Sequence, residues 1–148
     1  MKKFVSSVLI CFMLISCVSV FADSSEIIIN GEKATIGEGM GSVVQQNDRT
    51  FVPIRFVLEY FGYNVTWNDE DKLVFGRNSA GDIFVMQVGS THLIYKSADG
   101  KDENIVMDVA PFLNDAESRT YVPLRFLAEV LGYNVGYAEE TATVTLDK

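Results

Sequence analysis

One seventeen-residue pattern occurs twice in this chain of 148 residues. Residues 49–65 read RTFVPIRFVLEYFGYNV, and residues 119–135 read RTYVPLRFLAEVLGYNV, at an offset of 70 positions. Eleven of the 17 positions are identical, and most of the others exchange one apolar residue for another. An internal repeat of this kind indicates two related supersecondary units. We therefore expect one domain over residues 23–148, made of two related halves at about 26–80 and 81–148.

Each copy predicts a short strand followed by a helix. Pro53 and Pro123 suit the first position of a helix, where the missing N–H is not needed. Apolar residues follow at the spacing i, i+3, i+4, i+7, which is typical of one buried helix face. Gly62 and Gly132 then stand where a left-handed residue ends a helix. Helices of about nine residues are not stable alone in water, so each must lie on a sheet.

The remaining segments predict antiparallel hairpins. Asn30-Gly31 separates two strand-like runs, a combination that favours a tight primed turn. We expect an α+β fold, mostly antiparallel β-sheet with two short helices and an internal pseudo-repeat. Besides the short strand that begins each copy of the repeat, the predicted strands are 27–29, 33–36, 64–67, 73–75, 82–88, 92–96, 103–109, 134–137 and 143–146.

The first 22 residues predict a secretory signal peptide. Lys2 and Lys3 precede a long apolar run, Val20 and Ala22 place small or slim side chains at positions −3 and −1, and the chain turns polar at Asp23. This arrangement predicts cleavage between Ala22 and Asp23. The other interpretation is a retained membrane anchor, although the run is short for crossing a bilayer.

A lipoprotein is the alternative route of processing. Leu14-Ile15-Ser16-Cys17 resembles the bacterial lipobox, in which Cys17 would carry the lipid and anchor the chain to the membrane. The residues after Cys17 stay apolar, which fits this interpretation less well. Both cysteines, Cys11 and Cys17, precede residue 23, so the processed chain would have no disulfide.

Composition excludes several classes of function. The processed chain would carry 10 Lys and Arg against 20 Asp and Glu, a formal charge of −10 that disfavours nucleic acid. His92 is the one histidine, so neither a His/Cys metal site nor a hydrolase triad is expected. The acidic runs 69–71 and 99–102 lack the alternating spacing of a calcium loop and predict solvated turns. We expect no cofactor and no catalytic residue.

Two Arg/Glu pairs recur in the repeat, Arg55 with Glu59 and Arg125 with Glu129. An arginine near a helix N-terminus faces the positive end of the helix dipole, so an anionic group should compensate it. That group is either a bound carboxylate or acidic sugar, or a structural partner on the helix, a strand or a loop. We favour the structural interpretation, because repetition within a fold is typical of structural parts.

Four aromatic residues are candidates for ligand binding. These residues follow the two predicted helices and together would form an aromatic face; they are Trp67, Tyr63, Tyr133 and Tyr137. Such a face stacks on sugar rings or binds peptides. The other interpretation is packing in the core and across strands, which is where aromatic residues ordinarily lie.

The duplicated motif R-T-[FY]-V-P-[IL]-R-F-x-x-E-x-x-G-Y-N-V resembles the copper amine oxidase N-terminal-like domain, or stalk domain, common in secreted proteins of Gram-positive bacteria. The resemblance runs from Glu26 to about Leu146. It implies a twisted antiparallel sheet curled around helix, and a non-catalytic accessory module. Copper amine oxidases carry catalysis in a separate C-terminal domain, with three copper-binding histidines and a tyrosine after asparagine. Here Asn64 and Asn134 are followed by valine, so no catalytic residue is transferred.

We therefore predict a secreted, non-catalytic module that acts at the bacterial cell surface or envelope. It would bind wall polysaccharide or a surface protein, or serve as a spacer, without a membrane span after processing. Two alternatives stay open. One is a small glycan-processing enzyme that uses two carboxylates. The other is a structural protein that self-associates through its edge strands.

Overall fold

The computed structural model describes residues 26–148. The predicted cleavage site at Ala22 and Asp23 and the candidate lipidation site at Cys17 lie outside these residues. The described part contains β1 (Glu26–Ile29), β2 (Glu32–Ala34), β3 (Val44–Gln46), β4 (Arg49–Pro53), α1 (Ile54–Tyr60), β5 (Tyr63–Asn68), β6 (Leu73–Asn78), β7 (Ile83–Gln87), β8 (His92–Lys96), β9 (Asp102–Val106), β10 (Phe112–Asn114), β11 (Arg119–Pro123), α2 (Leu124–Val130), β12 (Asn134–Ala138), a 3₁₀-helix (Glu139–Thr141) and β13 (Thr143–Asp147).

The strands form three sheets, in the orders β12-β13-β1-β2, β10-β11-β4-β3 and β5-β6-β7-β8-β9. Every described pair is antiparallel except β1 with β13, which joins the first and last strands in parallel. The predicted α+β class, mostly antiparallel with two short helices, is confirmed. The N-terminal hairpin β1-β2 thus shares a sheet with the hairpin of the second copy, and the division into halves at residue 80 stays a prediction.

The two copies of the repeat meet in the sheet β10-β11-β4-β3, whose two inner strands are β11 and β4. We call it the central sheet. Strands β4 and β11 pair antiparallel, with Val52 opposite Val122, Phe51 opposite Pro123 and Pro53 opposite Tyr121. Val122 lies 70 positions after Val52, which is the offset of the repeat. Equivalent residues therefore face each other, and the antiparallel pairing relates the copies by a local pseudo-two-fold axis between these two valines.

Each helix covers the central sheet and reaches the other copy. Helix α1 packs on β5, β4 and β11, and α2 packs on β12, β11 and β4. The buried face of α1 is Ile54, Phe56, Val57 and Leu58, and that of α2 is Leu124, Leu127 and Ala128. Since helices of seven residues are not stable alone, this burial holds them in place.

The position predicted for the two prolines is wrong by one residue. Pro53 and Pro123 are the N-caps, with ψ of 120° and 117°, so both are extended rather than helical. The cause is the central ladder, since each proline still pairs across it, with Tyr121 and Phe51 respectively. Each helix therefore begins one residue later, and it spans seven residues instead of about nine.

The two glycines end their helices as predicted. Gly62 and Gly132 have φ of +81° and +82°, and their N–H groups donate to the carbonyls of Glu59 and Glu129 at 2.9 Å. A Cβ at either position would meet no heavy atom within 4 Å, so a side chain there is opposed only by the backbone conformation.

We expect Gly132→Ala to lower the free energy of unfolding by about 1 kcal/mol, because a left-handed backbone is unfavourable for alanine. Gly132→Asn should cost less, since asparagine tolerates this conformation. Urea denaturation of both variants, with Gly62→Ala as the equivalent in the first copy, measures the difference. Equal midpoints for the alanine and asparagine variants would contradict this explanation.

Candidate functional site

Two grooves open beside the helices, one for each copy of the repeat. The Trp67 groove, of about 440 Å³, lies beside α1, and the Tyr137 groove, of about 870 Å³, lies beside α2. We name each after the aromatic residue that β5 or β12 contributes to its wall.

The grooves are equivalent under the repeat. A helix and a hairpin from one copy form most of each groove, and the opposite side comes from the central strand of the other copy. Each groove therefore exists only because the copies pair across the pseudo-two-fold axis. The equivalent lining pairs are Pro53/Pro123, Ile54/Leu124, Arg55/Arg125, Val65/Val135, Thr66/Gly136, Trp67/Tyr137, Asp69/Glu139, Val74/Val144, Asp115/Gln45, Ser118/Asp48, Arg119/Arg49 and Thr120/Thr50.

In the Trp67 groove, a cation and an aromatic ring share one wall. The indole Nε1 of Trp67 donates to Asp69 Oδ1 at 3.3 Å, and Lys72 Nζ donates to the same oxygen at 2.8 Å. Lys72 Nζ also lies 6.0 Å from the centre of the indole ring. The hydrogen bond from Lys72, followed by that from Trp67, lowers the pKa of Asp69. The carboxylate thus holds both side chains at the groove.

The arginines of this groove are only partly neutralised. Arg55 Nη1 lies 3.4 Å from Glu59 Oε1, a long contact between exposed side chains. Arg119 donates to the carbonyls of Gly39 and Ser118, at 2.5 Å and 3.4 Å. Among the charged lining residues, Arg55, Lys72 and Arg119 face Asp69 and Asp115, an excess of one positive charge.

The Tyr137 groove has the opposite balance. Arg49 donates to Asp108 Oδ2 from Nε at 3.0 Å and from Nη2 at 2.5 Å, and these bonds lower the pKa of Asp108. Within residues 26–148, Arg125 makes no hydrogen bond and no ion pair. The charged lining residues are Arg49 and Arg125 against Asp48, Asp108, Glu129 and Glu139, an excess of two negative charges.

The four candidate aromatic residues do not meet in one face. Trp67 and Tyr137 lie in the two separate grooves, and Tyr137 is 45% exposed. Tyr63 is 5% exposed in the core, and burial is the main reason that its pKa is raised. Tyr133 packs on Phe61 with ring centres 4.6 Å apart. Tyr63 and Tyr133 therefore have a packing role, whereas Trp67 and Tyr137 line the two grooves.

The Arg/Glu pairs differ between the copies. Arg55 contacts Glu59, whereas Arg125 makes no ion pair with Glu129 in the described part of the chain. Arg49 and Arg119, which are not among the candidates predicted from the sequence, complete the grooves from the opposite copy. Both are the first residue of the repeated motif, so their recurrence in both copies was the available signal.

The remaining candidates are surface features. His92 is exposed on β8, and the turn at 68–71 is closed by Asn68 Oδ1, which accepts from the N–H groups of Glu70 and Asp71. From residue 26 onward, no three His, Cys, Asp or Glu side chains cluster as a metal ion would require. Neither α-helix in the described range has the length and apolar content needed to cross a bilayer.

Comparison with known families gives one match. A family model described as the copper amine oxidase N-terminal domain matches residues 28–146 and confirms the resemblance of the repeated motif. That domain is a non-catalytic, stalk-like domain. No curated protein and no solved structure matches the chain.

Proposed function

Because the chain belongs to the copper amine oxidase N-terminal domain family, we propose that it is a secreted, non-catalytic binding module of the bacterial cell surface or envelope. Its two grooves hold wall polysaccharide or a surface protein. The predicted signal peptide over residues 1–22 supports export, and lipidation at Cys17 is the alternative that would keep the module at the membrane.

The observation that carries this proposal is the pair of equivalent grooves. Each combines an accessible aromatic ring with arginine and carboxylate side chains, on a wall that also contains apolar residues. Ligand sites combine apolar walls with a few placed polar groups in this way, and volumes of 440 and 870 Å³ lie in their range. Apolar ring faces stack on aromatic side chains, which makes sugars and peptides suitable ligands.

The carboxyl groups favour binding over glycan hydrolysis. A glycosidase needs a general acid whose pKa is raised, so that it holds a proton near neutral pH. The described carboxyl groups with shifted pKa values all move downward, and these are Asp69, Asp82, Asp99 and Asp108. Hydrogen bonds are the leading cause in each case, so these groups remain ionised.

Retention on purified cell envelope tests the proposal. We expect the protein to sediment with the envelope, and the double variant Trp67→Ala, Tyr137→Ala to be retained about tenfold less, because truncating aromatic anchors typically costs more than 1 kcal/mol of binding. Tyr60→Ala is the matched control, since Tyr60 is 43% exposed and lines neither groove.

Two outcomes would contradict the proposal. If the parent protein is not retained, the module does not bind the envelope. If the double variant is retained as well as Tyr60→Ala, the grooves are not the binding sites.

A further inference from the structure

We propose that the Trp67 groove is a site for a carboxylate-bearing sugar residue, and that the Tyr137 groove, although built from equivalent positions, rejects the same ligand. This inference rests on the proposed function and names the ligand class of one of its two sites.

The first step is the aromatic wall. Trp67 lies against a groove of about 440 Å³ whose apolar lining includes Ile54, Val65 and Val74. An indole is the largest flat apolar surface among the side chains, and it suits the apolar face of a pyranose ring. The equivalent position in the other groove is Tyr137, which offers a smaller ring in about twice the volume.

The second step is the charge of the same groove. Arg119 donates only to main-chain carbonyls in the described range, so no carboxylate neutralises its guanidinium. Arg55 has one long contact with Glu59, and both side chains are exposed. Arginine binds carboxylates through paired, charge-assisted hydrogen bonds, so these two side chains are suited to an acidic substituent on a stacked sugar.

The acids of this groove do not remove that preference. Asp69 Oδ1 accepts hydrogen bonds from Lys72 Nζ at 2.8 Å and from Trp67 Nε1 at 3.3 Å, and the lysine balances the charge of the carboxylate. Asp115 is the other acidic lining residue, and in the described range it makes no ion pair with Arg55 or Arg119. The net balance of the lining stays positive by one charge.

The third step is the difference between the copies. Lys72 becomes Ala142 at the offset of 70, and Ser118 becomes Asp48. One cation is lost and one anion is gained, whereas Asp115 becomes the neutral Gln45, so these exchanges lower the lining charge by one. Asp108, which binds Arg49, and Glu129 add two further negative charges that have no counterpart in the lining of the Trp67 groove. The Tyr137 groove therefore repels a carboxylate that its equivalent attracts. The backbone at these positions is alike, with φ of +53° at Lys72 and Ser118, +49° at Ala142 and +58° at Asp48.

The experiment uses the purified protein and the fluorescence of Trp67, which is the one tryptophan in the chain and so reports on this groove. Two acidic probes represent two sources of the ligand, a disaccharide that contains N-acetylmuramic acid for peptidoglycan, and a diglucuronide for uronic-acid polymers. N,N′-diacetylchitobiose, called chitobiose below, is the neutral control of the same length. Calorimetry gives the number of sites.

We expect at least one acidic probe to shift the fluorescence saturably with one site, and chitobiose to bind about tenfold more weakly, the equivalent of one charge-assisted hydrogen bond. The acidic probe that binds more tightly identifies which polymer, peptidoglycan or a uronic-acid polymer, supplies the ligand. Arg55→Gln, on an exposed side chain, should weaken binding of the acidic probe more than binding of chitobiose. The double variant Asp48→Ser, Ala142→Lys brings the charge of the Tyr137 groove from −2 to 0, so it should gain a second, weaker site in calorimetry.

Several results would overturn the inference. Equal affinity for chitobiose and the acidic probes would remove the role of charge, and failure of the double variant to gain a site would remove the stated cause of rejection. If neither acidic probe perturbs Trp67 while the protein still sediments with envelope, this inference fails and the proposed function stands. If sedimentation fails as well, both fall.

Discussion

Val122→Asp will prevent the protein from folding. Val122 is 0% exposed and faces Val52 at the pseudo-two-fold axis, where the two copies of the repeat are joined. A carboxylate buried there without a partner costs several kcal/mol, which is comparable to the total stability of about 5–15 kcal/mol of a typical domain. Because both helices pack on the central strands, its loss should unfold both copies together.

The measurement is far-UV circular dichroism together with Trp67 fluorescence, which should both report an unfolded chain in the absence of denaturant. Val106→Asp is the matched control, since Val106 is 64% exposed and its replacement should change stability by no more than about 0.5 kcal/mol. A Val122→Asp variant that unfolds cooperatively at the parent's midpoint would contradict the central role of this strand pair.

Alkaline pH will destabilise the protein through its buried tyrosines. Burial is the leading cause that raises the pKa of Tyr63 and of Tyr121 above the ordinary value of 10.0, and hydrogen bonds to Tyr95 and Glu117 add to it. Both phenols hold their proton more tightly when folded than when unfolded. Their contribution to stability is therefore fully present below pH 10 and is lost as the pH rises from there towards the folded values.

Each of these two tyrosines can remove up to about 1.4 kcal/mol of stability per pH unit in that window. Urea denaturation between pH 8 and 12 should show this fall, and phenolate absorbance should rise together with unfolding. The double variant Tyr63→Phe, Tyr121→Phe should lose stability with a shallower slope above pH 10. The slope is the readout, because Tyr121→Phe also removes hydrogen bonds to Glu117 and Ser42 at every pH. An unchanged slope would contradict the assignment.

Local signals predicted several elements well. Asn30 and Gly31 adopt φ of +50° and +82°, the primed turn that their sequence favours. The glycines at the ends of the helices behave in the same way. In each case the conformation depends on the residue itself and its immediate neighbours, so the sequence carries the information directly.

Elements that depend on a distant partner were less predictable. Strands β3 and β10 were not predicted, since Val44–Gln46 and Phe112–Asn114 are only three residues long and carry no alternating pattern. They are strands because β4 and β11 offer free edges beside them. The sequence predicts the prolines at the first helical position for the same reason, since the ladder that keeps them extended joins residues about 70 positions apart.

The repeat alone determined that two equivalent helix-and-hairpin units exist and gave most of the residues that their helices bury, although Phe56 is buried and Phe61 only partly so. Composition gave a single histidine, fewer than the three of a copper amine oxidase site. The repeat also identified Trp67, Tyr137, Arg55 and Arg125 as candidates. Only the tertiary structure decided that these residues form two grooves rather than one face, and that Arg49 and Arg119 enter each groove from the opposite copy. The physical reason is the antiparallel pairing at Val52 and Val122, since this contact between distant segments leaves no local pattern in either one.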